Sequence, residues 1–150
     1  MKIFIGADHN GFEYKAYLIE QLQQAGYEVI DAGDQELQPE DDFPQFAARA
    51  VQEMKAAGNG PDVRGILICG SGQGMCMAAN RFKGIRASLV WNTHEAEAAR
   101  NDDDSNVLCL PARSISKDEA LQISTVWLRT AFAGAARFKR RIAELDQLAS

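Results

Sequence analysis

The chain has 150 residues, of which 46% are hydrophobic and 25% are charged, and its net charge is −5. This is the composition of an ordinary globular protein with a sizeable core, and we expect one domain spanning residues 1–150. The negative charge argues against non-specific binding of nucleic acid, and no apolar run approaches the roughly 20 residues that a membrane span needs. The three cysteines form no disulfide framework, and a strand pattern begins at once, so we expect no signal peptide and a reducing, cytoplasmic setting.

Strand and helix patterns alternate along the chain. The predicted strands are 2–7, 27–31, 65–69, 84–90 and 106–110. The predicted helices are 12–25, 45–57, 75–82, 93–100, 116–132 and a last one beyond Gly134. Ser116 with Glu119 three residues later is a capping box at the start of its helix. The acidic segment 34–42 has no period and is predicted to be a surface loop.

The predicted strands are continuously apolar, which is typical of a parallel sheet covered on both faces. The chain is therefore predicted to be an α/β protein: a Rossmann-like, three-layer, doubly wound parallel sheet of about five strands. Ligands of such sheets bind at the carboxyl ends of the strands, near the switch in strand order. We expect these polar residues at that edge: Asp8, His9, Cys69, Ser71 and the acidic run 102–104.

The turn after the third strand carries three glycines, Gly70, Gly72 and Gly74, and leads into a helix. Glycines allow a sharp turn, and the first-turn N–H groups of a helix point at whatever lies above the strand end. Such amides bind a phosphate or an oxygen that becomes negative during a reaction. Cys69 lies at the lip of this turn, where positive potential favours a thiolate. The alternative is a generic strand-to-helix turn with a buried cysteine.

Further candidates for chemistry are one histidine and three arginines. His9 follows Asp8 at a strand end, although a polar loop residue is the alternative. Arg137 and Arg141 are four residues apart, so on a helix they share a face and together could bind one phosphate, unless they only form a solvated basic face. Arg113 directly follows the fifth strand.

Other polar residues favour less specific interpretations. His94 lies in a predicted helix among alanines and glutamates and is predicted to be a surface residue. The consecutive acids 102–104 point in different directions, so a capping, solvated run is favoured over a metal site. The helix after Gly134 has an apolar stripe that we expect to pack on a second copy of the chain, so that two chains build one site.

Several motifs together resemble the type B ribose-5-phosphate isomerases, a group that also includes the galactose-6-phosphate isomerase subunits. The motifs lie at residues 6–11, 68–74, 78–80, 84–87 and 105–108, and the match continues through Arg113, Arg137 and Arg141 to cover nearly the whole chain. The resemblance implies a Rossmann-like fold, a phosphorylated sugar as substrate, and an aldose–ketose isomerisation without metal or cofactor. It also implies homodimers or homotetramers with sites shared between subunits.

The resemblance also implies a role for each matching residue. Cys69 is the base that moves a proton between C1 and C2 through an enediolate, and Ser71 assists it. The amides of Gly70, Gly72 and Gly74 stabilise the oxyanion. The residues implied in substrate binding are Asp8, Asn80 and Asp103, with His9, Arg113, Arg137 and Arg141 on the phosphate.

The chain departs from the family pattern near the sugar. Asp102 stands in place of a ring-opening histidine, Asp103 in place of an asparagine, and Phe43 in place of a tyrosine. Members with a glutamate base have it where this chain has Met75, so the cysteine must serve. These departures leave open which pentose or hexose phosphate is used. A subunit that needs a partner and a non-catalytic module that binds sugar phosphates or nucleotides stay as alternatives.

Overall fold

The structure is a computed structural model that describes residues 1–58 and 60–148. Within these residues the strands are β1 (Lys2–Ala7), β2 (Glu28–Asp31), β3 (Val63–Cys69), β4 (Ala87–Leu89) and β5 (Val107–Pro111). The helices are α1 (Phe12–Gln24), α2 (Phe43–Ala57), α3 (Gln73–Ala79), α4 (Thr93–Asp103), α5 (Lys117–Arg129) and α6 (Ala136–Gln147).

The five strands form one parallel sheet in the order β2-β1-β3-β5-β4. The chain moves outward from β1 to β2 and then returns across β1 to place β3 on its other side. The switch in strand order therefore lies between β1 and β3, and the carboxyl ends of these two strands are where ligands of such sheets bind. The backbone N–H of Asp8 donates to the carbonyl of Ile68 at 3.3 Å and joins the two strand ends. The predicted α/β fold is confirmed.

Alternating side chains of the central strands supply two separate cores. Ile3 and Ile5 face the layer that contains α1, α4 and α5, and Trp127 is buried in that layer. Phe4 points the other way, toward α2 and α3. Because both faces of the sheet are covered, its strands are apolar at nearly every position, which is the pattern that the sequence shows.

Helix α5 begins at the predicted capping box, with the Ser116 side chain accepting from the Glu119 N–H at 3.1 Å. It ends at Arg129, three residues before the predicted end, because two buried arginines bind its last carbonyls. Arg64 donates to the Trp127 carbonyl at 3.1 Å and Arg100 donates to the Thr130 carbonyl at 3.3 Å. Burial lowers the pKa of Arg64 to about 10.

Two other predicted bounds differ from the structure. Strand β4 covers only Ala87–Leu89, within the predicted 84–90. Helix α4 does not end at Arg100 but continues to Asp103, and Asp104 closes it with a left-handed φ of 48°. The acidic run 102–104 was predicted to be a capping, solvated run: its first two residues form the last turn of α4, and Asp104 is the residue that caps the helix.

Helix α6 is amphipathic, and none of its residues is buried. Two apolar side chains at its end are largely uncovered in the described chain: Leu145 is 52% exposed and Leu148, just after the helix, is 81% exposed. In the described part of the chain, no helix combines the length and the apolar character that crossing a membrane requires.

Candidate active site

Cys69 is the last residue of β3, at the carboxyl edge of the sheet beside the end of β1. It is 5% exposed, so its thiol is largely shielded from bulk water. Its carbonyl accepts from the Ala112 N–H at 3.0 Å, and the next carbonyl, that of Gly70, accepts from the Arg113 N–H at 2.9 Å. The turn after β5 is thus attached to the turn after β3, which brings Arg113 next to Cys69.

The glycine turn is tight at two places. Gly72 has a φ of 76°, and a Cβ there would lie 3.1 Å from the carbonyl carbon of Leu110, so this position requires glycine. A Cβ on Gly70 would lie 2.5 Å from Nη2 of Arg113, because that guanidinium lies directly over Gly70. The turn places a cation above the backbone amides that are expected to bind an anion.

Two further side chains of the turn have defined neighbours. The Ser71 hydroxyl accepts from the Gln73 N–H at 3.3 Å. The ring of Phe43 lies against Gly74, where a Cβ would be 2.7 Å from its Cζ. Met75, at the position where the family resemblance implies a glutamate base in some members, is fully buried. Phe43 therefore lies at the mouth of the glycine turn, and it brings no hydroxyl group there.

The loop after β1 supplies Asp8 and His9 to the same edge. Asp8 is buried, and its Oδ1 accepts from the N–H groups of Asn10 at 2.9 Å and Gly11 at 3.3 Å. His9 Nδ1 lies 2.7 Å from Oδ1 of Asp41, and this hydrogen bond, helped by the charge of Asp8, raises the pKa of His9. Asp41 cannot be identified from the sequence, because nothing periodic links a loop acid to a residue 32 positions earlier.

The carboxyl edge thus brings together most of the predicted site residues. They are Asp8, His9, Cys69, Gly70, Ser71, Gly72, Gly74 and Arg113. The expectation that the acidic run 102–104 lies there too is wrong. Asp102 and Asp103 end α4, which returns the chain to the amino end of β5, the opposite edge of the sheet. The length of β5 alone separates the two edges by about 13 Å at 3.3 Å per residue.

Arg137 and Arg141 belong to the amino edge as well. They lie exposed on α6, whose end is joined to that edge by an ion pair of 3.6 Å between Asp146 and Arg86. Partial burial raises the pKa of Asp103, the charge of Asp102 raises it further, and Arg141 opposes both effects. The described chain therefore carries two groups of predicted site residues at opposite edges of its sheet.

Asn80 has a structural contact that the sequence did not suggest. It follows α3, and its side chain accepts from the Ala87 N–H at 2.8 Å and donates to the Ala87 carbonyl at 3.0 Å. This pair of hydrogen bonds attaches the end of α3 to the start of β4. The structure does not bring Asn80 to the carboxyl edge with Cys69.

Asp8, His9 and Asp41 are also the group of possible metal ligands found among the described residues, with ligand atoms within 4.8 Å of one another. The 2.7 Å contact between His9 and Asp41 is a hydrogen bond, and Asp8 already accepts from two backbone N–H groups. The cluster is therefore a hydrogen-bonded loop.

A cavity of about 570 Å³ lies at the amino edge of the sheet. Its buried Arg64 and Arg100 donate hydrogen bonds to backbone carbonyls.

Comparison with known proteins places the chain in a family. Residues 3–145 match the family model described as Ribose/Galactose Isomerase. The chain is 45% identical over 138 residues to the probable ribose-5-phosphate isomerase B of Mycoplasma pneumoniae, covering 92% of this chain and 89% of that protein. It is 36% identical over 142 residues to ribose-5-phosphate isomerase B of Mycobacterium tuberculosis, covering 95% and 86%.

The fold agrees with solved structures of the same group. A crystal structure of ribose-5-phosphate isomerase B from Mycoplasma genitalium with bound ribulose-5-phosphate matches with a TM-score of 0.92 and 38% identity, covering 98% of this chain and 95% of that one. The resemblance that the sequence motifs indicate is confirmed. The chain belongs to the ribose/galactose isomerase family and is an isomerase.

Proposed function

We propose that this isomerase interconverts ribose 5-phosphate and ribulose 5-phosphate, with Cys69 as the group that moves the proton. The observation that carries the proposal is the position of Cys69: a shielded thiol at the end of a central strand, beside a glycine turn with a cation above it. Relatives named ribose-5-phosphate isomerase B support the choice of substrate.

The chemistry follows from this placement. The Cys69 thiolate removes the proton from C2 of the open aldose, the electron pair forms the C1–C2 double bond, and negative charge develops on O1. Amides of the Gly70–Gly74 turn stabilise that charge where water is excluded, and Arg113 binds the substrate phosphate. Ser71 helps to pass the hydroxyl proton from O2 to O1, and the Cys69 thiol then protonates C1 to give the ketose.

We propose further that two chains share each site. Arg137 and Arg141 lie at the amino edge, too far from Cys69 of the same chain to bind one small substrate with it. The uncovered apolar side chains of α6 support the same arrangement, because a second chain would bury them. In a symmetric dimer, the amino edge of each chain would complete the carboxyl edge of the other and supply the phosphate with two more arginines.

The first experiment measures isomerisation and the entry of solvent deuterium at C2 of ribose 5-phosphate. Cys69→Ala should abolish both and keep phosphate-dependent binding, because the thiolate acts mainly in the transition state. The matched control is Cys76→Ala: a hydrogen bond with Cys109 lowers the pKa of Cys76 to about 7, which makes it the rival thiolate. Loss of activity in the control with retention in Cys69→Ala would overturn the mechanism.

The second experiment tests the shared site by mixing Cys69→Ala with Arg137→Ala, allowing their subunits to exchange, and assaying at a substrate concentration far below the KM of Arg137→Ala, where neither variant alone has appreciable activity. In a mixed dimer one site would carry both defects and the other neither. With half of the dimers mixed, activity should return to about a quarter of the native value. If each site lay within one chain, mixing would restore nothing.

The three cysteines are free thiols, Cys69 and Cys109 buried and Cys76 half-buried. They support the proposal that the enzyme works in a reducing compartment, the cytoplasm, where thiols stay reduced.

A non-catalytic binding module is the competing hypothesis, and binding of ribose 5-phosphate without any deuterium exchange would favour it.

A further inference from the structure

One acid, in the part of the segment between β2 and α2 that follows an exposed run of residues 35–40, is held against the candidate site. The side chain of Asp41 is only 8% exposed. Its Oδ1 accepts two hydrogen bonds from one residue: from the backbone N–H of His9 at 3.0 Å and from the imidazole Nδ1 at 2.7 Å. A single oxygen therefore fixes both the backbone and the ring of His9.

We propose that Asp41 is a positioning residue that keeps His9 cationic and directs its Nε2–H at the substrate phosphate. The inference rests on the proposed function and on the role that the family resemblance implies for His9, which is to bind the substrate phosphate. Asp41 would then set the pH range over which His9 strengthens phosphate binding.

The reason lies in the tautomers of imidazole. With Nδ1–H donating to Asp41, a neutral His9 would present the lone pair of Nε2, which repels a phosphate oxygen. A protonated His9 donates from both nitrogens, to Asp41 on one side and to the phosphate on the other. Asp41 therefore makes phosphate affinity depend on the protonation of His9.

Both charged groups that face His9 in the described chain are acids. Asp8 lies beside it in the loop after β1, and Asp41 faces it from the segment before α2. Both favour the imidazolium, and only desolvation opposes them. Because the folded pKa is raised, His9 stays protonated to a higher pH than in the unfolded chain, and the strengthened phosphate binding is lost as the pH rises through the folded value.

The test is a proton NMR titration of the imidazole signals. The chain has only two histidines, and a His94→Gln variant assigns the remaining signal to His9. In the native protein the His9 midpoint should lie above 6.5. In Asp41→Asn, which keeps an oxygen for the His9 backbone, it should fall by about half a pH unit or more. Glu40→Gln removes an equal charge from the same loop and should leave the midpoint unchanged.

A native midpoint at or below 6.5, or an equal midpoint in Asp41→Asn, overturns the inference. Kinetics supply the second readout. Asp41→Asn should raise KM for ribose 5-phosphate several-fold at pH 7.5, with a smaller effect at pH 6 and little change in kcat. The ratio of variant to native at each pH cancels the ionisation of the substrate itself. A ratio that does not change with pH also overturns the inference.

The two hypotheses fail separately. The NMR titration needs no turnover, so it reads the coupling of Asp41 to His9 even if Cys69 is not the base. Conversely, the enzyme could isomerise ribose 5-phosphate through Cys69 while Asp41→Asn keeps the native KM at every pH. That result would support the proposed function and contradict this inference.

Discussion

The contact between Gly70 and Arg113 predicts a variant that damages phosphate binding without damaging the fold. In Gly70→Ala the new Cβ would lie 2.5 Å from Nη2 and 2.8 Å from Cζ of Arg113. Gly70 does not have the left-handed φ of Gly72, so its backbone accepts alanine. The atoms that must move belong to the end of an exposed, flexible side chain. The guanidinium is therefore expected to leave the position above the turn.

The size of the effect follows from what Arg113 is proposed to do. Loss of a charge-assisted hydrogen bond costs about 1.5–3 kcal/mol. Since each 1.4 kcal/mol is tenfold, KM for ribose 5-phosphate should rise about 10- to 100-fold. Displacing an exposed side chain should change the free energy of unfolding by no more than about 0.5 kcal/mol.

The assay is a double-mutant cycle of Gly70→Ala and Arg113→Ala, with KM from steady-state kinetics and stability from urea unfolding. If Gly70→Ala acts by displacing the guanidinium, the double variant should be no worse than Arg113→Ala alone. Additive losses would mean that alanine disturbs the amides of the turn directly. An unchanged KM in Gly70→Ala would refute the phosphate role of Arg113 itself.

Three further variants separate stability from catalysis. Gly72→Ala should cost about 1–3 kcal/mol in urea unfolding, because φ is 76° and the Leu89 side chain leaves no room; native stability would contradict the turn geometry. Trp127→Phe removes the 2.7 Å hydrogen bond from Nε1 to the buried Ser105 hydroxyl, and thermal and urea unfolding should show a loss of about 1–3 kcal/mol or more. Asp102→His should speed the isomerisation of ribose 5-phosphate, since a histidine can open the furanose ring at neutral pH. A native chain as fast as this variant would show that another group already opens the ring.

Much of the fold can be predicted from the sequence because it depends on local patterns. The continuous apolar strands require cover on both faces, which fixes the three layers, and Ser116 with Glu119 marks the start of α5 from sequence alone. The ends of elements were less predictable. Helix α5 ends where Arg64, far away in the chain, binds its carbonyls, and no window of the sequence contains that information.

The candidate site shows the same difference between features set by local sequence and features set by residues distant in the chain. Cys69 and its glycine turn are adjacent in sequence, so their motif predicts their placement at a strand end. Asp102 lies shortly before β5, so it is at the amino edge whether α4 ends at Arg100 or at Asp103, and only a second chain could bring it to a carboxyl edge. Asp41 gives no signal at all, because its partner is distant in sequence and its neighbours are ordinary loop residues.

The corner formed by α4, α5 and the start of α6 determines how a substitution in one chain would affect its neighbour in the proposed dimer. Buried Arg100 binds the Asp104 carboxylate at 2.8 Å and the Thr130 carbonyl, and the Ala133 N–H donates to the Asn101 carbonyl at 3.1 Å. These bonds anchor the segment that leads to Arg137 and Arg141. In a shared site these arginines would serve the neighbouring chain, so a fault in this corner would impair a reaction carried out by the Cys69 of another molecule. Mixing a chain with a fault in this corner and a chain with a fault at Cys69 would then restore part of the activity that each lacks alone.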